Sequence, residues 1–357
     1  MTEATATRPI SRPPRRLRAM LLLAIVGMLL LGLVLGLVLR TRPAEPSIAA
    51  QLAAPSPGVV LVGAGDIADC TDDGDSATAA LLDEIPGAVF TLGDNAYERG
   101  TAREYADCYA PTWGRHRART HPVPGNHEYA TPDASGYFGY FGPAAGPPQR
   151  GYYAYDLGGW RLYALNSNCA SIGGCGASSE QYRWLMGDLQ AHPSTCVAAF
   201  WHHPRFSSGR HGNYPRMQAI WSALYAAGAE LVVVGHDHDY ERIGPVDGKG
   251  QPASEHGMRQ IVVGTGGKAL RSFGDSVLGI SQVRNDTTFG VLKLTLRPAS
   301  YEWRFVAVPG SAFTDSGSSP CHAAPPGARP PSPATTSGPA TTASPDGPAT
   351  QATSAAS

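Results

Sequence analysis

Charge is scarce in this chain. Asp, Glu, Lys and Arg make up 16% of its 357 residues and nearly cancel, at a net −1. The basic residues form no stripe, so a nucleic-acid surface is not expected. Cysteine pairs of the Cys-x-x-Cys type are missing as well, which argues against zinc ribbons and thioredoxin-like redox chemistry. From Pro320 to Ser357 large apolar side chains are almost absent and Pro, Ala, Thr, Ser and Gly dominate. Such a segment buries too little to offset its ordering entropy, so 320–357 reads as a disordered tail, a spacer or wall-contacting segment.

One apolar run stands out against this background. Met20 to Leu39 contains only Met, Leu, Ala, Ile, Val and Gly, about the 20 residues that cross a bilayer core. Arg8, Arg12, Arg15, Arg16 and Arg18 precede it and only Arg40 and Arg42 follow closely, so the positive-inside rule puts the N-terminus in the cytoplasm and the rest outside. The chain then divides into a cytoplasmic basic segment (1–19), a transmembrane signal anchor (20–39), a linker (40–57), one large α/β domain (58–319) and the tail. The alternative is a secreted domain released by signal cleavage, for which Ser47-Ile48-Ala49 is a poor site and the apolar run is long. Arg15-Arg16 also hints at twin-arginine export, although the residues after it match poorly. Six cysteines suit an oxidising compartment and read as disulfides. Cys169 and Cys175 flank a Gly-rich turn and form a local pair; Cys70 with Cys108 and Cys196 with Cys321 are the other pairings expected, among many connectivities that spacing leaves open.

Between leader and tail, short apolar runs alternate with helical patterns. Val59 to Val62, Ala88 to Leu92, Trp160 to Leu165, Val197 to Trp201, Leu231 to Val234 and Ile261 to Val263 read as buried strands. Ser76 to Ile85, Ala102 to Ala110, Glu180 to Ala191 and Arg216 to Ala227 read as helices, giving the alternation of an α/β fold. Val291 to Leu296 and Tyr301 to Val308 read as a closing hairpin.

Several strands run into polar blocks. GAGD ends at Asp66, GDNAY carries Asp94 and Tyr97, GNHE carries Asn126, His127 and Glu128, WHHP begins its polar part at His202, and GHDHDYER runs from His236 to Arg242. A single GD or GNH turn means little, because Gly, Asn and Asp form turns for conformational reasons. Five blocks together supply Asp, Asp, Tyr, Asn and three His, enough to hold two metal ions.

In order and wording the blocks resemble the calcineurin-like metallophosphoesterases and, within them, the purple acid phosphatases. Most of that superfamily carries Asp-x-His in the first block, whereas Asp66-Ile67-Ala68 lacks the His; the purple acid phosphatase pattern compensates with a Tyr three residues after the bridging Asp, where Tyr97 stands after Asp94. The resemblance covers about Val59 to Val308. It implies a four-layer α/β/β/α sandwich of two mixed sheets, here preceded by one transmembrane helix. It leaves no room for the extra N-terminal β-sandwich domain of larger members. Donor chemistry divides the implied ligands. Phenolate and carboxylates suit Fe3+, while imidazole and amide oxygen suit Zn2+, Fe2+ or Mn2+. Asp66, Asp94, Tyr97 and His238 are therefore assigned to one metal, and Asp94, Asn126, His202 and His236 to the other, with Asp94 bridging ions roughly 3.5–4 Å apart. His236 and His238 are expected to face the same way as alternate residues of an extended segment.

The resemblance further implies hydrolysis of phosphoric monoesters by metal-activated hydroxide, with His127 and His211 as the catalytic histidines that assist the phosphate and leaving group. His203 is expected to be structural. The substrate would be a phosphorylated small molecule or an exposed phosphoester. Phosphodiesterase or nucleotidase activity is the alternative, and a non-catalytic surface binding protein the third reading.

Overall fold

The computed structural model describes residues 58–194 and 196–327. The apolar run at 20–39, its flanks and the segment beyond 327 lie outside the described residues. Among the described residues no helix is long and apolar enough to cross a membrane.

Two mixed sheets form the framework. The first contains β1 (Val59–Ala64), β2 (Ala88–Thr91), β3 (Thr120–His121), β11 (Gly290–Arg297), β12 (Ser300–Ala307) and β13 (Ser316–Pro320), in the order β13-β12-β11-β1-β2-β3. The second contains β4 (Tyr153–Leu157), β5 (Trp160–Ala164), β6 (Val197–Phe200), β7 (Leu231–Val234), β8 (Tyr240–Val246), β9 (Met258–Val263) and β10 (Ser281–Asn285), in the order β10-β8-β9-β7-β6-β5-β4. Parallel pairing joins β1 to β2 and β2 to β3, and in the second sheet β5 to β6, β6 to β7 and β7 to β9. Parallel neighbours need a crossover. Longer helices supply three of these crossovers: α1 (Gly74–Glu84) between β1 and β2, α4 (Glu180–Ala191) between β5 and β6, and α5 (Gln218–Ala226) between β6 and β7. Two shorter helices, α2 (Ala102–Glu104) and α3 (Ser135–Phe141), lie in the loops beside the site.

Strand alternation explains the layers. Val197, Ala199, Val232 and Val234 face Leu185 and Leu189 of α4 and Ile220, Trp221 and Leu224 of α5. The intervening side chains face the other sheet. Phe90 meets Phe200 there with ring centroids 5.0 Å apart, Trp160 meets Tyr301 at 5.6 Å and Tyr240 meets Phe305 at 4.7 Å. Covered on both faces, these strands read as continuous apolar runs rather than alternating ones.

The predicted strands and the β11–β12 hairpin are present, and α4 starts at its Ser179 cap, whose side chain accepts from Tyr182 N at 3.2 Å. The helix expected at 102–110 is instead α2 followed by a π-helical turn, Tyr105–Tyr109. The one expected at 216–227 opens with a 3-10 turn, Pro215–Met217, whose first-turn Pro215 loses no hydrogen bond by lacking an N–H. Chain expected in the tail also belongs to the fold. Cys321 is bonded to Cys196, and His322 N donates to Glu230 at 2.6 Å, so covalent and polar ties hold a segment that lacks apolar content. Cys70–Cys108 and Cys169–Cys175 are the other two disulfides.

Candidate metal centre

Five loops converge on one cluster of side chains. Three follow β1, β2 and β3 of the first sheet and carry Asp66, then Asp94 and Tyr97, then Asn126 and His127. Two follow β6 and β7 of the second and carry His202, then His236 and His238. Close backbone approach makes this possible: a Cβ on Gly125 would strike the Asp94 carboxylate, and Gly93, at φ 83°, lies directly against Gly125.

Two groups share Asp94. Tyr97 Oη lies 2.9 Å from Asp66 Oδ1, 3.2 Å from Asp94 Oδ2 and 3.3 Å from His238 Nε2. His202 Nε2 lies 3.2 Å from the same Asp94 Oδ2, 3.0 Å from Asn126 Oδ1 and 3.1 Å from His236 Nδ1. Tyr97 reaches this point because its loop runs beside the first block. Ala96 forms a parallel bridge with Ala68, and Tyr97 N donates to Ala68 O at 2.8 Å.

The donor chemistry fits cations. His202 and His238 each use Nδ1–H to donate to a backbone carbonyl, of Leu92 at 2.7 Å and Ala269 at 2.8 Å, which turns Nε2 lone pairs toward the cluster. Burial pushes Asp66 up to about 7 against the pull of His202, with Asp94 adding to the rise. Burial also opposes ionisation of Asp94, yet His202, His127 and His236 hold it below the usual carboxylate range. Burial and the adjacent Asp66 carboxylate push the Tyr97 phenol well above its ordinary value. Burial lowers His238 to about 4 and would lower His202 too, but Asp94 lifts His202 to about 9. Protons shared among these crowded oxygens and imidazoles hold them together, and a bound cation would supply the positive charge in their place.

The extended segment expected at His236 to His238 is a bend. His236 has φ 74°, Asp237 N donates to Gly235 O at 3.0 Å, and Asp239 N donates to Asp237 O at 2.8 Å. Tight turning, not strand alternation, aims both imidazoles at the cluster. Asp237 points instead at His211, accepting from its backbone N at 2.8 Å and its Nδ1–H at 3.0 Å. His211 is partly exposed, with its ring 4.2 Å from that of His236. His127 sits on the other side, its Nδ1–H donating to Glu98 O at 2.5 Å and its Nε2 3.8 Å from Asp94 Oδ2. His203 is buried and stacks on Tyr214 with centroids 4.5 Å apart. Its Nδ1 lies 2.8 Å from Ser167 Oγ, and burial lowers it to about 3, so it stands as a neutral support 4.4 Å from the His236 ring.

Sequence reasoning missed Glu128, which is fully buried within GNHE. Its carboxylate accepts from the backbone N of Gly125 at 2.6 Å, Asn95 at 2.7 Å and Asp94 at 2.9 Å, and from Tyr105 Oη at 3.0 Å. Burial and Asp94 push its pKa up while the Gly125 and Asn95 donors resist. The signal was present, since a Glu in a polar turn must either face solvent or gather donors. Lys268 and Arg271, on the loop between β9 and β10, were missed too.

This fold and site define a class. The chain belongs to the calcineurin-like phosphoesterase family, whose model matches residues 52–240. Within that family it is similar to purple acid phosphatases. It is 30% identical over 187 residues to purple acid phosphatase 21 of Arabidopsis thaliana, covering 46% of this chain, and 28% identical over 225 residues to purple acid phosphatase 15 of the same plant, covering 52%. Each match spans 41% of the length of the curated relative. The structure of a purple acid phosphatase from yellow lupin (Lupinus luteus) seeds shares the fold at a TM-score of 0.58 and 18% identity, covering 74% of this chain and 54% of that one.

Proposed function

We propose that this chain is a metal-dependent phosphatase of phosphoric monoesters. Asp66, Asp94, Tyr97 and His238 would hold one metal, suited to Fe3+. Asp94, Asn126, His202 and His236 would hold a second, suited to Zn2+, Fe2+ or Mn2+. One observation carries the reading: Tyr97 Oη lies within 3.3 Å of Asp66, Asp94 and His238, supplying from the neighbouring loop the donor that Ala68 cannot.

When bound, two metal ions supply Lewis acidity and a water acidic enough to serve as nucleophile near neutral pH. The chain supplies orientation. His127 and His211 each have Nδ1 engaged, by Glu98 O and by Asp237, so Nε2 is the atom that, carrying a proton, would donate to a phosphoryl oxygen or a leaving group, once Arg271 Nη1 gives up its contact with Nε2 of His211. Metal-dependent release of phosphate from an aryl phosphate, with elemental analysis of the same sample, tests the proposal. A dinuclear preparation that releases none would overturn it.

The proposal includes export and anchoring by 20–39. Arginine asymmetry supports it, as does the pairing of all six cysteines into disulfides, which persist in oxidising compartments. Protease added to intact cells should release an active soluble domain; protection of the domain until lysis would refute the topology.

A further inference from the structure

Two cations leave the β9–β10 loop beside the cluster, and their surroundings differ. Lys268 is neutralised. Its ammonium pairs with Asp69 at 2.5 Å and with Glu98, and lies 4.7 Å from the Tyr97 ring. Arg271 is tied to the cluster by its backbone, whose N donates to His238 O at 3.0 Å. Its side chain is half-buried and has no carboxylate partner among the described residues. Instead Nη1 donates to Nε2 of His211 at 3.1 Å. An always-charged guanidinium thus stands at the mouth of the site with most of its donors uncommitted, held only by an imidazole nitrogen.

From this geometry we infer that Arg271 is a phosphate-binding residue that selects monoesters over diesters, an inference that rests on the phosphatase reading above. A phosphoric monoester dianion has three non-bridging oxygens and two negative charges; a diester has two such oxygens and one charge. The extra oxygen and charge require an extra cationic donor, and Arg271, held against His211, is a cation at this rim with no carboxylate partner among the described residues. Phosphate oxygens are much stronger acceptors for a guanidinium than an imidazole nitrogen is. On substrate entry the Arg271 side chain therefore leaves His211 Nε2 for the phosphoryl group, and the same movement clears His211 Nε2 for the substrate.

The test uses the metal-loaded full chain and the Arg271→Ala and Arg271→Gln variants, the second of which keeps a polar tip and much of the side-chain length. Inorganic phosphate binding is measured by calorimetry, kcat/KM on p-nitrophenyl phosphate and bis(p-nitrophenyl) phosphate by absorbance, and metal content by elemental analysis. Both variants should keep their metals and bind phosphate about 10-fold or more weakly. Monoester kcat/KM should fall by a similar factor and diester kcat/KM by less than about 3-fold. Unchanged phosphate affinity, or equal losses on the two esters, overturns the inference. Should the alanine variant misfold, the glutamine variant decides. A wild type that hydrolyses neither ester defeats the phosphatase reading, and the phosphate titration then decides the role of Arg271 separately.

Discussion

Replacing Glu128 by Gln should loosen the whole centre without replacing a proposed ligand. The carboxylate takes four short bonds, from Gly125 N, Asn95 N, Asp94 N and Tyr105 Oη. An amide keeps one acceptor oxygen. Its better orientation places that oxygen toward Gly125 and Asp94 and turns the NH2 group toward Tyr105, whose hydroxyl can rotate to accept, so Asn95 N is the donor left facing a donor. One buried unsatisfied N–H costs about 1–3 kcal/mol, and weakening two charge-assisted bonds to neutral ones costs about 1 kcal/mol each. Against this, the variant no longer buries a charge beside Asp94, which recovers on the order of 1–2 kcal/mol. The balance is a loss of about 2–3 kcal/mol, or a Tm lower by roughly 5–10 °C for a domain of this size. Because Asp94 N is one of the two bonds weakened, both metals should bind less tightly. Thermal melts of metal-free and metal-loaded protein, with elemental analysis after dialysis, measure both effects. A variant that melts within about 1 °C of wild type and keeps both metals would refute the reasoning.

Other expectations follow from the same geometry. Asp94→Ala should lose both metals, since Asp94 Oδ2 faces both groups of proposed ligands, whereas Asn126→Ala should weaken mainly the proposed divalent site; equal metal retention in the two variants, by elemental analysis, rules out the bridge. If Tyr97 binds ferric iron as phenolate, wild-type protein should show a visible charge-transfer band that Tyr97→Phe abolishes with the fold intact by circular dichroism, and a band surviving in the variant excludes Tyr97 as a ligand. Glu230 is nearly fully buried, and burial raises it from an ordinary 4.5 to about 8 against the pull of His322 N–H. Its folded state therefore holds the proton more tightly than the unfolded chain, so the stability it contributes is complete below about 4.5 and lost as pH rises through about 8. Glu230→Gln should gain on wild type by several degrees of Tm between pH 5 and pH 8.5, and a pH-independent difference would defeat this assignment.

The sequence made the buried elements legible and the polar edge elements illegible. β6 and β7 are apolar throughout, and β5 is apolar but for Arg161, because both faces are covered, and that pattern survives without any partner in view. β10 (Ser281–Asn285) and β13 (Ser316–Pro320) are edge strands with half-exposed polar side chains, and their pairing is set by β8 and β12 rather than by their own composition. β8 (Tyr240–Val246) hides Gly244 and Pro245 at an irregularity in its pairing with β9, where strand patterns fail. At the site, Asp94 and Tyr97 were legible because their spacing is local. Glu128 and Arg271 were not. Glu128 acts mainly through donors about 20 to 35 positions away, on the loop after β2 and in the π-helical turn, and Arg271 comes to His211 across 60 positions of chain, so neither leaves a short-range pattern.

Backbone strain and ligand identity at this site have one cause. Asp66, Asp94 and His236 adopt φ of 58°, 48° and 74°, in the left-handed region where Asp and His are among the few side chains found with any frequency. Each turn aims a side chain inward at the end of a strand that would otherwise carry it past. The cost, on the order of 1 kcal/mol per residue, is offset by the carboxylates themselves. Asp66 directs Oδ1 to Tyr97 and accepts with Oδ2 from His236 N at 2.8 Å. Asp94 directs Oδ2 to Tyr97 and His202 and accepts with Oδ1 from His127 N at 2.8 Å. One oxygen of each faces the cluster while the other pins the backbone of a neighbouring loop. Ligand charge and loop conformation are therefore coupled here, and an alanine at either Asp removes both together. An asparagine could keep its oxygen on the backbone donor while losing the anionic charge offered to the cluster. Comparing Asn with Ala at Asp66 and Asp94 thus separates metal affinity from loop order.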